Sequence, residues 1–366
     1  MAKLGRLQYY VFSLTVTIGI LIAVASTHPA KVVLTTAILA VLEVSFSFDN
    51  AVVNSVVLQR MSAWWQAVFM TVGIIIAVGL VRFVLPIVIV MATAHLGFSS
   101  VINQALHHPH LYKENLDAAH VQVAVIGGVF LLMIFLGFVF DDEREEQWIV
   151  PFERPLARLG KVTGLAAVIT TVVILVIAAS ESWKSSVLYS GFGSLAVFLI
   201  MDWLGNKLEN EDEEGDDDNV AVKTGAAGWA GLALFGYLEF QDAAFSFDGV
   251  SGAFAISSDV IIIAAGLCIG ALFVRSMTVD LVHSGKLAEL RYLEHGAHWA
   301  IGTLAAFILV STHHEAPSYV TGLIGVVFIA LAVVHSTILN RREGEAEPGQ
   351  AFSDAVFGKE KINPAS

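Results

Sequence analysis

Two stretches decide how this chain is read: LEVSFSFDNAVVN (residues 42–54) and QDAAFSFDGVSGA (residues 241–253). They overlay without a gap. Each holds Phe-Ser-Phe-Asp, and each has an acid six residues before that aspartate, Glu43 before Asp49 and Asp242 before Asp248. The second copy adds Glu239, and each copy is followed by an apolar segment with one arginine, Arg82 and then Arg275. The shared tetrapeptide, acid and arginine together imply an internal duplication.

Around these motifs the chain is built for lipid. Of its 366 residues 56% are apolar and 14% charged, against about 25% charged in a soluble domain. The apolar residues fall into blocks near 9–27, 32–58, 65–93, 118–140, 162–180, 185–204, 226–256, 259–282, 297–312 and 318–340, most of them near the ~20 residues that a bilayer-crossing helix needs. The short alternating segments of a β-barrel are missing. The expected fold is all-α, a polytopic helix bundle of about ten spans. The first block, behind Lys3 and Arg6 and ending in AVAST, also fits a signal peptide, although its long apolar core favours a retained span.

Charge orients the bundle. With both termini on the cytoplasmic side, 15 Lys and Arg residues fall in inner loops and three, Lys31, Lys113 and Lys184, in outer ones, as the positive-inside rule requires of an even number of spans. The motif of Asp49 then runs outside to inside and that of Asp248 inside to outside, so the halves are expected to be inverted repeats with a site near the midplane. The net charge of -13 is concentrated partly in ENEDEEGDDDN (residues 209–219), expected as a solvated linker, and argues against a nucleic-acid partner. The single cysteine, Cys268, excludes an intrachain disulfide and a thiolate cluster.

Five acids inside the bilayer would cost about 12 to 18 kcal/mol if they faced lipid, at ~2.5 to 3.5 each. They must line a polar cavity, pair with cations or hold protons. On a straight helix, positions six apart point about 120° away from each other. A break near each Phe-Ser-Phe-Asp is therefore expected, helped in the second copy by Gly249 and Gly252. The donors are oxygens, from the carboxylates, the Asn50 amide and the Ser47 and Ser246 hydroxyls, and these suit hard divalent ions. Arg82 and Arg275 are counter-charges for the acids or, in the alternative, packing arginines that reach the interface. Five acids against two arginines leave room for one divalent cation and for protons.

At these residues the sequence resembles the TerC family of integral membrane proteins, within the wider group of LysE-like transporters. LEVSFSFDNAVV is similar to that family's Glu-x5-Asp-Asn pattern, and LEFQDAAFSFDGVSGAFAIS to its Glu-x2-Asp-x5-Asp pattern. GLVRF, ALFVRS, LRYLEHG and APSYVTGLIGVVFIALAVVHSTILN continue the likeness, which covers about residues 32–140 and 226–340. Gly249 stands where the family commonly has serine, His335 where its last helix often has an acid, and the family's lysine after the ninth span is missing. The resemblance implies Glu43, Asp49, Asn50, Glu239, Asp242 and Asp248 as metal-site residues. It also implies export of a divalent cation, manganese in several branches, a link to tellurium-compound resistance, and a bacterial inner-membrane location with cytoplasmic termini.

The expected organisation is a first span at 1–30, a first repeat at 31–140, an extra helix pair at 141–208, the acidic linker at 209–225, a second repeat at 226–340 and a polar tail at 341–366. Partners are the bilayer, a divalent metal and protons; oligomeric state is not readable. No prosthetic group and no enzymatic activity are expected, since the Gly-x-Gly-Asp pattern of intramembrane aspartyl proteases is missing at both aspartates. A non-transporting metal scaffold or sensor is the alternative function. His95, His107, His108 and His110, with His313 and His314, are outer-loop histidines, read either as plain polar loop residues or as a metal-release or pH-sensing patch.

Overall fold

A computed structural model of the chain describes residues 2–144, 146–180, 184–214, 228–254, 256–257, 259–284, 290–312 and 324–341; of residues 2–7, 46, 49, 180, 184, 205–214, 247, 248 and 251 it describes the backbone alone. Thus the side chains of Asp49 and Asp248, the histidines at 313 and 314, most of the acidic run and the tail beyond 341 lie outside the described residues.

The described chain is helical throughout. Helix α1 is Ala2–Thr27, α2 Ala30–Phe46 and α3 Phe48–Leu58. A long rod follows, made of α4 (Ala63–Ile75), a π-helical segment (Ile76–Val84) and α5 (Leu85–Ala94). Two short helices, α6 (Phe98–His107) and α7 (Pro109–Ala118), lead into α8 (His120–Val139). Short α9 (Val150–Leu159) precedes α10 (Leu165–Ser180), α11 (Lys184–Glu214), α12 (Gly228–Ala253) and α13 (Val260–His283). Helices α14 (Leu293–Val310) and α15 (Ile324–Arg341) end the described chain.

Among the described residues seven helices are long and apolar enough to cross a membrane, the rod Ala63–Ala94 counting as one, and α2 with α3, bent by 53°, make an eighth span if the pair crosses as one. The other two expected blocks are α10, whose apolar stretch Leu165–Ala179 is short, and α12, which carries Glu239, Asp242 and Asp248. The protein is therefore an integral helix bundle.

Small residues set the close crossing of α2 and α13. On α13, Gly266 and Gly270 lie one turn apart facing α2; a Cβ at Gly266 would stand 2.5 Å from Leu39 Cβ, and one at Gly270 2.4 Å from Glu43 Cβ. Between apolar helices in lipid, dispersion at such close backbone approach replaces the hydrophobic drive of water. Helix α1 also packs on α13, where buried Ser13 and Ser276 share a 2.6 Å hydrogen bond. On the other side, the residues of the extra pair belong to the largest core: Ile174 and Ile177 of α10 and Leu195 and Phe198 of α11 pack with Val129 and Phe130 of α8.

One expectation is corrected here. The first motif is broken as expected, since Ser47 (φ -100°, ψ 15°) ends α2 and starts α3, but the second is not. Backbone helix α12 runs unbroken through residues 248–252 to Ala253. The reason lies at Gly249, where a Cβ would stand 2.7 Å from Glu43 Oε2, so this glycine admits the glutamate of the other half instead of kinking its own helix. The acidic run begins as helix, since α11 continues to Glu214 and glutamate is a good helix former; the rest of the run lies outside the described residues.

Candidate functional site

The π-helical segment places the first arginine. Arg82 lies on this segment and reaches back along it, its Nη1 donating to the Ala77 carbonyl at 2.8 Å. Single π-turns inside α-helices are frequent at functional sites. With its guanidinium tethered and its side chain 2% exposed, Arg82 pairs with the equally buried Glu43 of α2. The Ser47 hydroxyl at the helix break donates to the same carboxylate at 3.3 Å.

The second arginine is held differently. Arg275 of α13 donates to both Glu239 oxygens at 3.0 and 3.2 Å and to the Gly73 carbonyl at 3.1 Å. Its guanidinium lies 3.7 Å from the Phe69 ring centroid, a cation–π contact. Gly73 has no room for a side chain, since a Cβ would meet Glu239 Oε1 at 2.6 Å and Arg275 Nη1 at 3.0 Å. Nη1 has no hydrogen-bond partner among the described residues.

Asp242 joins the two centres. Its Oδ1 accepts from the Asn50 amide of the first half at 2.5 Å, and its Oδ2 lies 4.0 Å from Arg82 and 3.9 Å from Arg275. Ser246 donates to the Asp242 carbonyl at 2.7 Å, a bond inside α12. The arrangement thus brings together Glu43, Asn50, Arg82, Glu239, Asp242 and Arg275 from α2, α3, the π-segment, α12 and α13. All are buried. With every group ionised, Glu43, Glu239 and Asp242 against Arg82 and Arg275 leave one negative charge.

The acids do not stand as a bare metal cage, for among the described residues no three His, Cys, Asp or Glu side chains are grouped to hold a metal. Guanidinium groups lie between them. The loop histidines among the described residues form no such group either: His107 and His110 are exposed on α6 and α7, His108 is exposed between them, and His95 caps α5 in the left-handed region at φ 54°.

A second buried carboxylate escaped the sequence reading. Glu153 of α9, outside the membrane spans, accepts from the Trp148 backbone N–H at 2.7 Å and the Trp299 indole at 2.7 Å, with His295 Nδ1 at 3.0 Å. Burial opposes its ionisation, yet the bonds from His295 and Trp299 outweigh that and hold its pKa down at about 2. His335 belongs to this cluster and not to the arginine site, accepting from the Trp148 indole at 2.9 Å and stacking on Tyr292. The signal was LRYLEHG, quoted only for its resemblance, with Trp148 and Glu153 far away in sequence.

Residues 48–343 match DUF475, a family described as protein of unknown function, and that is more than half of the chain. The chain belongs to the DUF475 family. The match takes in both arginines, Asn50 and the whole second motif, and starts just after Glu43. No curated protein and no solved structure matches the chain. In this DUF475 protein the charge cluster therefore lies mostly on family residues, with Glu43 supplied from just outside the match.

Proposed function

We propose that this protein is a membrane carrier that exports a hard divalent cation, with manganese as the cargo suggested by the TerC resemblance. The observation that carries the reading is Asp242. It is a buried carboxylate shared between the halves, bonded by Asn50 and facing two arginines at about 4 Å. An ionisable group inside a membrane bundle is expensive to keep and marks an ion or proton path. Here three carboxylates exceed two guanidiniums, so a cation or a proton is favoured as the missing positive charge. Glu43, Asp49, Asn50, Glu239, Asp242 and Asp248 are the proposed ligands, drawn together when the arginines swing away. Arg82 and Arg275 stand in for the metal in the cation-free state.

Ten spans with both termini cytoplasmic, two inverted halves, and an inner-membrane location complete the proposal. They rest on the loop charges and the resemblance. Alternating occupation by metal and protons makes the carrier an antiporter. The arginine-closed cluster, which offers no ready cage, also favours a second reading, a non-transporting metal scaffold or sensor.

Flux separates the two. In inside-out vesicles loaded with a pH dye, an antiporter takes up manganese while protons leave. Equilibrium binding without uptake would mean a sensor, and uptake without proton movement at clamped voltage would remove the coupling.

A further inference from the structure

A cavity of about 450 Å³ opens beside Arg60, at the end of α3 that the loop charges assign to the cytoplasm, and reaches inward to Val57 and Tyr237. Its charged lining is mixed: Arg60 pairs with Glu294 at 3.0 Å and Arg144 with Asp141 at 3.8 Å, while Asp202 makes no ion pair with a described residue. Like the buried cluster, it has one carboxylate more than it has arginines.

Two amides fill the space between this cavity and Asp242. On α3, Asn50, Asn54 and Val57 follow one another at i, i+4 and i+7, on one face. On antiparallel α12, Gln241 lies one turn, about 6 Å, above Tyr237. Helical side chains lean toward their own N-terminus, so Gln241 leans toward the cavity end and meets Asn54, its Nε2 donating to Asn54 Oδ1 at 3.4 Å. Asn54 is 2% exposed and Gln241 0%. Gln241 Oε1 has no hydrogen-bond partner among the described residues. An amide oxygen buried in a membrane bundle without a donor forfeits its hydration for nothing, unless a cation uses it.

We propose that Asn54 and Gln241 form the gate between a cytoplasmic vestibule and the Asp242 cluster, and that a hard cation passes it by exchanging water for the two amide oxygens. The carboxylates at the mouth gather the ion, the amides strip it, and Asp242 receives it. Neutral oxygens suit this step because they coordinate hard cations without trapping them as a charged pair would. This gate rests on the carrier reading above, and its test is chosen to fail separately.

The full-length protein is reconstituted in inside-out vesicles with manganese(II) as the probe. Gln241→Leu and Asn54→Leu are expected to slow initial uptake about tenfold or more while equilibrium binding changes less than about threefold. Gln241→Asn, which keeps a neutral amide oxygen on that face, should retain far more of the rate than Gln241→Leu. Uptake by both leucine variants within about twofold of wild type, with Asp242→Asn inactive, would overturn the gate and leave the carrier standing. A wild type that neither binds nor moves manganese would sink both. Should the leucine variants fail to fold, Val57→Cys and Tyr237→Cys in a Cys268→Ala background carry the test. Both should react with a membrane-impermeant maleimide from the cytoplasmic face, and no reaction at either would remove the vestibule.

Discussion

The two arginine centres sit in corresponding segments of the two halves but are built to different tolerances. Arg82 is locked by a π-turn carbonyl and a 2%-exposed glutamate that also receives the Ser47 hydroxyl. Arg275 faces a 9%-exposed glutamate, stacks on Phe69, and keeps Nη1 without a partner among the described residues. The first centre is sealed at a helix break, and the second lies beside an unbroken helix with a donor to spare. On the carrier reading proposed above, the second centre is the one expected to open first. The partners also differ from the sequence overlay, which aligns Glu43 with Asp242. In space Glu239 takes the place of Glu43, and Asp242 is shared by both arginines.

Removing Arg82 is the strongest way to break this contrast. Arg82→Met strands Glu43 with no cation against it, and loss of one partner of a buried pair costs about 3 to 5 kcal/mol. Arg275→Met is expected to cost less, about 1 to 3 kcal/mol, because Glu239 retains some access and the bonds lost are ordinary charged hydrogen bonds. Thermal unfolding in detergent measures both, and Glu43→Gln combined with Arg82→Met should recover much of the loss. Equal losses at the two sites would erase the distinction.

Glycine substitutions sharpen it at a smaller scale. Gly270→Ala places a methyl 2.4 Å from Glu43 Cβ, whereas Gly79→Ala, on the π-segment near Arg82, meets nothing within 4 Å. Overpacking of the first kind costs about 1 to 3 kcal/mol, and the second should be neutral or slightly stabilising through helix propensity. The same melting assay ranks them.

Glu153 provides a control, because its carboxylate is satisfied without arginine. Unfolded, it titrates near its ordinary 4.5; folded, it is held at about 2. Its contribution is complete above pH 4.5 and is lost as pH falls through about 2. Glu153→Gln should therefore be less stable than wild type at neutral pH and flatten the acid side of the stability curve. A curve with unchanged slope between pH 4.5 and 2 would deny Glu153 this role.

Much of this was legible from the residues. Apolar block length gives the helices, and the cost of five acids in lipid forces a shared site with the two arginines, where Glu43, Glu239 and Asp242 are found. Three features were not legible. The π-turn, where Arg82 reaches back to the Ala77 carbonyl, leaves no mark in GLVRF. Gly249 reads locally as a helix breaker, and only the approach of Glu43 from a helix some 200 residues earlier makes it a contact glycine. The Glu153 cluster joins three segments far apart in sequence, around Trp148, His295 and His335, and nothing in any one of them points to the other two.

The most direct measurement is manganese uptake into inside-out vesicles by wild type and Asp242→Asn, paired with a fold check by size exclusion. Asparagine keeps the shape and the contact with Asn50 but removes the charge that faces both arginines. Saturable uptake by wild type, lost in a folded Asp242→Asn protein, is the predicted result. Uptake that is indistinguishable between the two would contradict the claim that this cluster carries the ion.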